Sequence, residues 1–203
     1  QIDDIAFLLN LNHRSEIFPF LLEKNPAIKD LKVYSIHDIE QISSHILQLI
    51  DENRPSVQGL VLAGGKSVRM GTDKGLLDYF GKSQREYSIE MLERLNLKTF
   101  LSVRKEQNID QQNVIEDVFL GLGPFGAICS AFQYNPNVAW IVLATDLPFV
   151  DEKLIRRLLE KRDPGKVATA IKGKGKKFPE PLITIWEPKA YPIMLQFLAK
   201  GVS

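Results

Sequence analysis

Residues 62–75, LAGGKSVRMGTDKG, directly continue an apolar run, QGLVLA at 58–63, that reads as a β-strand. Gly64 and Gly65 let a backbone turn tightly and bring its N–H groups up to a ligand, where they can bond phosphate oxygens with no side chain between. Arg69 and Lys74 add fixed positive charge to the same loop. That combination suits a nucleoside triphosphate, whose negative charges must be neutralised before a nucleophile can approach. Further along, Asp146 ends a second apolar strand pattern, VAWIVLA at 138–144, and Asp117 follows a short one, NVIE at 113–116. In open parallel sheets the carboxyl ends of strands face the ligand crevice, so a carboxylate such as Asp146 points where a nucleotide would lie. Its alternative use, capping the next helix, is better filled by Asp151.

Two better-known phosphate loops do not fit. A Walker A loop needs glycine, four residues, then Gly-Lys-Ser/Thr; the required positions before Gly65-Lys66-Ser67 and Gly81-Lys82-Ser83 hold Leu60 and Leu76. Gly59 and Gly75 each stand one residue too early, and the turn also lacks the dinucleotide pattern GxGxxG.

The elements that position these residues alternate in type. After the strand at 58–63 come a helix from Ser83 to about Leu95, strands KTFLSV at 98–103 and NVIE, a helix in GAICSAFQY at 126–134, and the strand VAWIVLA. A helix near Asp151 with Leu154, Ile155, Leu158 and Leu159 on one face, strands VATAI and PLITIW, and a last helix after Pro188 complete the series. Such alternation with doubly apolar strands predicts a three-layer α/β/α, Rossmann-like fold with a mainly parallel sheet. Residues 1–56 read as strand, loop and helix: IAFLLNL at 5–11, then Ser35 as cap for a helix with apolar Ile36, Ile39, Ile42, Ile46, Leu49 and Ile50. With DENRPS at 51–56 as a linker, this segment is expected to be an accessory layer or the tail of an upstream domain, since so few elements build a weak core.

The 203 residues carry 26 Lys plus Arg and 25 Asp plus Glu. Near-neutrality gives no overall field to hold a nucleic acid, so an anionic ligand must be met locally. The balance is uneven, −4 over residues 1–56 and about +5 over 57–203, and all three histidines (His13, His37, His45) fall in the shorter part. A histidine triad or a histidine-ligated zinc is thereby excluded from the longer one, unless the shorter part reaches into it. The lone Cys129, the missing secretory pattern and apolar runs far below the ~20 residues of a membrane helix point to a cytoplasmic protein outside the membrane. The start at Gln1 and the end in AKGVS suggest a fragment of a longer product.

LAGGKSVRMGTDKGLL resembles the signature of the MobA-like nucleotidyltransferases, the family of the molybdenum cofactor guanylyltransferases; LGPFGAICSAF at 122–132 and LATDLPFV at 143–150 match further motifs in the same order. The similarity covers about residues 57–203. It implies a sheet of the nucleotide-diphospho-sugar transferase type. It also implies transfer of GMP from GTP to the phosphate of molybdopterin, with release of pyrophosphate and with other molybdenum cofactor biosynthesis proteins as possible partners. By the same resemblance Leu62, Ala63, Gly64, Gly65, Lys74, Ser102, Asp117 and Asp146 contact the nucleotide, Asp146 holds Mg2+, and Arg69, Lys74 and Asp146 are catalytic. Asp117 can accept hydrogen bonds from the ring N–H and exocyclic amine of guanine. Ser102 stands where the family often has Asn. LAGG rather than LAAG favours guanine over cytosine. A segment with an Asn-Thr-Pro motif, usual in the family, is absent, which implies a C-terminally incomplete domain.

Alternatives are a CTP-dependent cytidylyltransferase of molybdopterin or of a sugar or polyol phosphate, and a non-catalytic GTP-binding module. Lys172, Lys174, Lys176 and Lys177 form a basic turn ahead of Phe178-Pro179-Glu180-Pro181 that can close over the phosphate of a second substrate or be a solvated charge run. Glu180 can accept from pterin N–H groups. Phe178 and Trp186 are expected to be packing residues.

Overall fold

The computed structural model describes residues 5–11, 17–63, 78–79, 82–107, 113–147 and 150–202. These form two compact units, 1–54 and 55–203.

In the first unit, β1 (Leu8–Asn10) pairs in parallel with β2 (Val33–Ser35), while α1 (Pro19–Lys24) and α2 (Ile39–Glu52) are helices. β1 is shorter than the apolar run at 5–11. Ser35 does not cap α2: the N-cap is Asp38, whose carboxylate accepts from Ser35 N at 2.8 Å, while Ser35 Oγ accepts from His37 N at 3.3 Å. These local bonds hold a turn that leaves Ile36 outside the helix. His45 Nδ1 and Tyr34 Oη are hydrogen-bonded at 2.9 Å, with Phe7 edge-on to Tyr34 at 5.5 Å. No residue of α2 is buried, consistent with the weak core that so short a segment can build.

The second unit is built on a six-stranded sheet. Its strands are β3 (Val57–Leu62), β6 (Thr99–Val103), β7 (Val114–Glu116), β8 (Ala139–Ala144), β9 (Ala168–Ile171) and β10 (Glu180–Trp186), in the order β7-β6-β3-β8-β10-β9. β3, β6, β7 and β8 are mutually parallel, and β10 runs antiparallel to both β8 and β9. The short strands β4 (Asp78–Tyr79) and β5 (Lys82–Ser83) form a separate antiparallel pair. Ser56 already accepts from Ala139 N at 2.8 Å, so the expected linker is shorter than 51–56.

Strand side chains alternate between two cores. Leu60, Leu62, Phe100, Trp140 and Val142 pack with α4 (Pro124–Tyr134) and α6 (Ala190–Ala199), through Ile128, Phe132 and Met194. Val61, Leu101, Ile141 and Leu143 pack with α3 (Gln84–Arg94) and α5 (Glu152–Glu160), through Met91, Leu92, Ile155 and Leu158. Both faces of the sheet are therefore covered, which is why β8 is apolar at every position. The helix starts follow their sequence signals: Ser83 and Glu86 form a capping box at α3, and Asp151 accepts from Leu154 N at 2.7 Å at α5. Among the described residues no helix is long and apolar enough to cross a membrane.

At the end of the sheet where β3 and β8 begin, Arg162 donates to both oxygens of Glu187 at 2.7 and 2.8 Å. Both side chains are buried, at 4% and 0% exposure, and the pair clamps the segment after α5 to the entry of α6.

Candidate active site at the switch point of the sheet

From β3 the chain moves outward to β6 and β7, then returns to place β8 on the other side of β3. The reversal opens a crevice at the carboxyl ends of β3 and β8, the usual ligand position in open α/β sheets. Leu62 pairs with Ala144 on one side and with Ser102 on the other, so the first and third motifs leave the sheet side by side. Thr145 Oγ1 donates to Leu62 O at 3.3 Å and ties these two exits together. Ala63 N donates to Ser102 O at 3.1 Å, and Ala63 O accepts from Gln107 Nε2 at 3.4 Å. Gly64, Gly65, Arg69 and Lys74 lie outside the described residues.

Asp146, two residues beyond β8, is exposed at this crevice, and no described residue bonds to its carboxylate. Leu62, Ala63 and Ser102 are 7%, 3% and 3% exposed. They form the floor beneath the crevice. The Ser102 side chain lies on the α4 side of β6 with that of Phe100.

Asp117 follows β7, two strands away from β3. It is more than a solvated turn residue: its Oδ1 accepts from Phe119 N at 3.1 Å and from Ser130 Oγ at 2.9 Å, while Ser130 Oγ accepts from Val118 N at 3.0 Å. One carboxylate oxygen thus fastens the 117–123 turn to α4, and Oδ2 takes no bond from a described residue. Val118 and Leu120 present exposed apolar surface on the same turn.

Gly126 makes the close approach possible. A Cβ there would stand 2.3 Å from the Phe119 carbonyl oxygen. Gly126→Ala is expected to push this turn away and lower stability by about 1–3 kcal/mol. Thermal unfolding of the variant checks this, and an unchanged Tm would contradict the packing described.

Burial pushes the Cys129 thiol up to about 11, with the Asp117 charge adding to the shift. With 0% exposure, Cys129 has neither the ionisation nor the access of a nucleophile.

The lysine turn joins β9 to β10. Since β9 runs parallel to β8, Lys172 leaves the sheet at the crevice end. Phe178 is 71% exposed, contrary to the packing role expected for it, because the turn carries it beyond both cores. Trp186 does pack, against the α4/α6 core. A separate hollow of about 270 Å³ against α3 and β6 is lined by Glu86, Glu90 and Glu93, whose like charges repel a triphosphate.

Thr145, Gln107 and Ser130 were absent from the expected site. Thr145 has a sequence signal in its adjacency to Asp146, whereas the Gln107 contact spans 44 residues and has none.

Residues 59–202 match the model of the MobA-like NTP transferase domain. The chain belongs to this family. A molybdenum cofactor biosynthesis bifunctional protein from Synechocystis sp. is 32% identical to this MobA-like domain over 144 residues, covering 69% of the chain and 42% of that protein. The chain thus spans less than half the length of that relative. A probable molybdenum cofactor guanylyltransferase from Flavobacterium johnsoniae is 29% identical, over 66% of the chain and 70% of its own length. Among solved structures, molybdopterin-guanine dinucleotide biosynthesis protein A from Archaeoglobus fulgidus superposes with a TM-score of 0.58 at 24% identity, covering 71% of the chain and 74% of its own. The shared MobA-like fold is thus seen in both sequence and architecture.

Proposed function

We propose that this chain transfers GMP from GTP to the terminal phosphate of molybdopterin, forming the guanine dinucleotide cofactor and pyrophosphate. The observation that carries the reading is the Leu62–Ala144 register, which sets the start of the glycine-rich segment beside Asp146 at the switch point. Relatives named molybdenum cofactor guanylyltransferase support the choice of substrates. Residues 1–56 enter only as an accessory segment, outside the matched 59–202.

In the reaction, a phosphate oxygen of molybdopterin attacks the α-phosphorus of GTP in line. One P–O bond forms as the bond bridging the α- and β-phosphates breaks, and pyrophosphate leaves with the electron pair. No covalent enzyme intermediate is required, which agrees with the inert Cys129 and with the absence of histidine beyond residue 56. The work of the protein is positioning and charge neutralisation. Gly64 and Gly65 N–H groups, Arg69 and Lys74 are assigned to the phosphates, and Asp117 Oδ2 to the base edge.

Asp146 suits Mg2+. A single exposed carboxylate, with no group of three or more His, Cys, Asp or Glu among the described residues, matches an ion that keeps several waters and shares substrate phosphate oxygens. It does not match a closed zinc site. When bound, Mg2+ supplies positive charge that stabilises the leaving pyrophosphate.

The protein, incubated with Mg2+, molybdopterin and GTP, CTP or ATP in turn, is expected to release pyrophosphate with GTP about a hundredfold faster than with the others, as hydrogen-bonded base recognition allows. Turnover with CTP alone would replace the guanylyl assignment by a cytidylyl one.

A further inference from the structure

Phe178 is the most exposed large apolar side chain among the described residues, at 71%. It stands on a turn otherwise made of lysine and glycine, where Lys176 N donates to Gly173 O at 3.0 Å and Gly175 adopts φ +77°. That conformation, rarely open to other residues, gives the turn a defined shape. Lys177 Nζ lies 5.3 Å from the Phe178 ring centroid, over one face, which leaves the rest of the ring to solvent. Among the described residues Lys172, Lys174, Lys176 and Lys177 have no ion-pair partner.

The sheet register places this turn. Ile183 pairs with Leu143 in the antiparallel β8–β10 ladder. Beyond a register shift between Glu180 and Thr184, Glu180 pairs with Ile171, the last residue of β9, at the crevice end of the sheet. Phe178 lies two residues farther toward the crevice. It is on the β8-β10-β9 side of the switch point, opposite the β3-β6-β7 half that carries Asp117. An open aromatic face on a turn that carries four lysines is complementary to a planar heterocycle that bears a phosphate.

We propose that Phe178 is a stacking residue of the acceptor subsite, with the lysines of its turn holding the acceptor phosphate. The ligand class is a phosphorylated fused-ring heterocycle. The inference rests on the proposed function for the identity of that heterocycle as a pterin.

The test is a direct titration of molybdopterin, followed by its own fluorescence, into wild-type protein, Phe178→Ala and Phe178→Trp, with no GTP present. Loss of one stacked ring is expected to raise Kd about tenfold in Phe178→Ala. Phe178→Trp is expected to stay within about twofold of wild type, because it keeps the aromatic face. GTP affinity and Tm are expected to be unchanged in both variants, since Phe178 packs in neither core. A variant with all four lysines changed to serine is expected to bind molybdopterin more weakly and with a shallower salt dependence. An unchanged Kd in Phe178→Ala, an equal rise for GTP, or failure of wild-type protein to bind molybdopterin would each overturn the subsite. Binding that depends on Phe178, without turnover of GTP, would leave the subsite standing and sink the proposed reaction instead.

Discussion

Replacing Asp146 by alanine is expected to lower kcat for GTP turnover by about 10²–10³-fold, the usual cost of removing one group aimed at charge that develops in the transition state. The carboxylate is exposed at the carboxyl end of β8, beside the exit of β3, and supports no described neighbour. Its loss is therefore not expected to change Tm. Asp146→Asn keeps the size and removes the charge, so it should fall nearly as far. Both variants are expected to need a higher Mg2+ concentration for half-maximal rate. Steady-state kinetics across a Mg2+ series check all three points. Full activity in Asp146→Ala would remove this residue from the metal and catalytic roles.

The largest stability effect is expected at Arg162. Arg162→Ala leaves the Glu187 carboxylate at 0% exposure without the guanidinium that pairs both its oxygens. Stranding a buried charge in this way costs about 3–5 kcal/mol. For a chain of this size that corresponds to a fall in Tm of about 10 °C. The loss reflects an uncompensated charge more than the worth of the pair, so Arg162→Met combined with Glu187→Leu is expected to recover much of it. Denaturant unfolding of the single and double variants separates these terms. A loss below about 1 kcal/mol in Arg162→Ala would show that Glu187 finds water or another donor.

Much of the sheet was legible because its signals are local. Doubly apolar strands, the helix start at Ser83 and the Asp151 cap each depend on a few adjacent residues, and each stands where expected. The position of Asp146, just beyond the end of the most apolar strand, was legible for the same reason. Ser35 was misread as a cap because two turn-forming side chains lie three residues apart, and Asp38 takes the capping position. What stayed hidden is long-range. The Arg162–Glu187 pair spans 25 residues and the Thr145–Leu62 bond 83, and no periodicity records either. The antiparallel run of β10 was hidden too, since strand direction depends on where the intervening hairpin turns. Phe178 shows the remaining limit: an aromatic beside a strand reads as core, and only the geometry of the turn leaves it in solvent.

Transfer of the α-phosphate itself is the most direct test of the assigned reaction. The full chain is incubated with Mg2+, molybdopterin and GTP labelled at the α-phosphorus, and the pterin product is separated and counted. Label is expected in a guanine dinucleotide of molybdopterin, with one pyrophosphate released for each and no label retained on the protein. Label that remains in GTP, appears only in GMP, or becomes covalently bound to the chain would contradict direct in-line transfer.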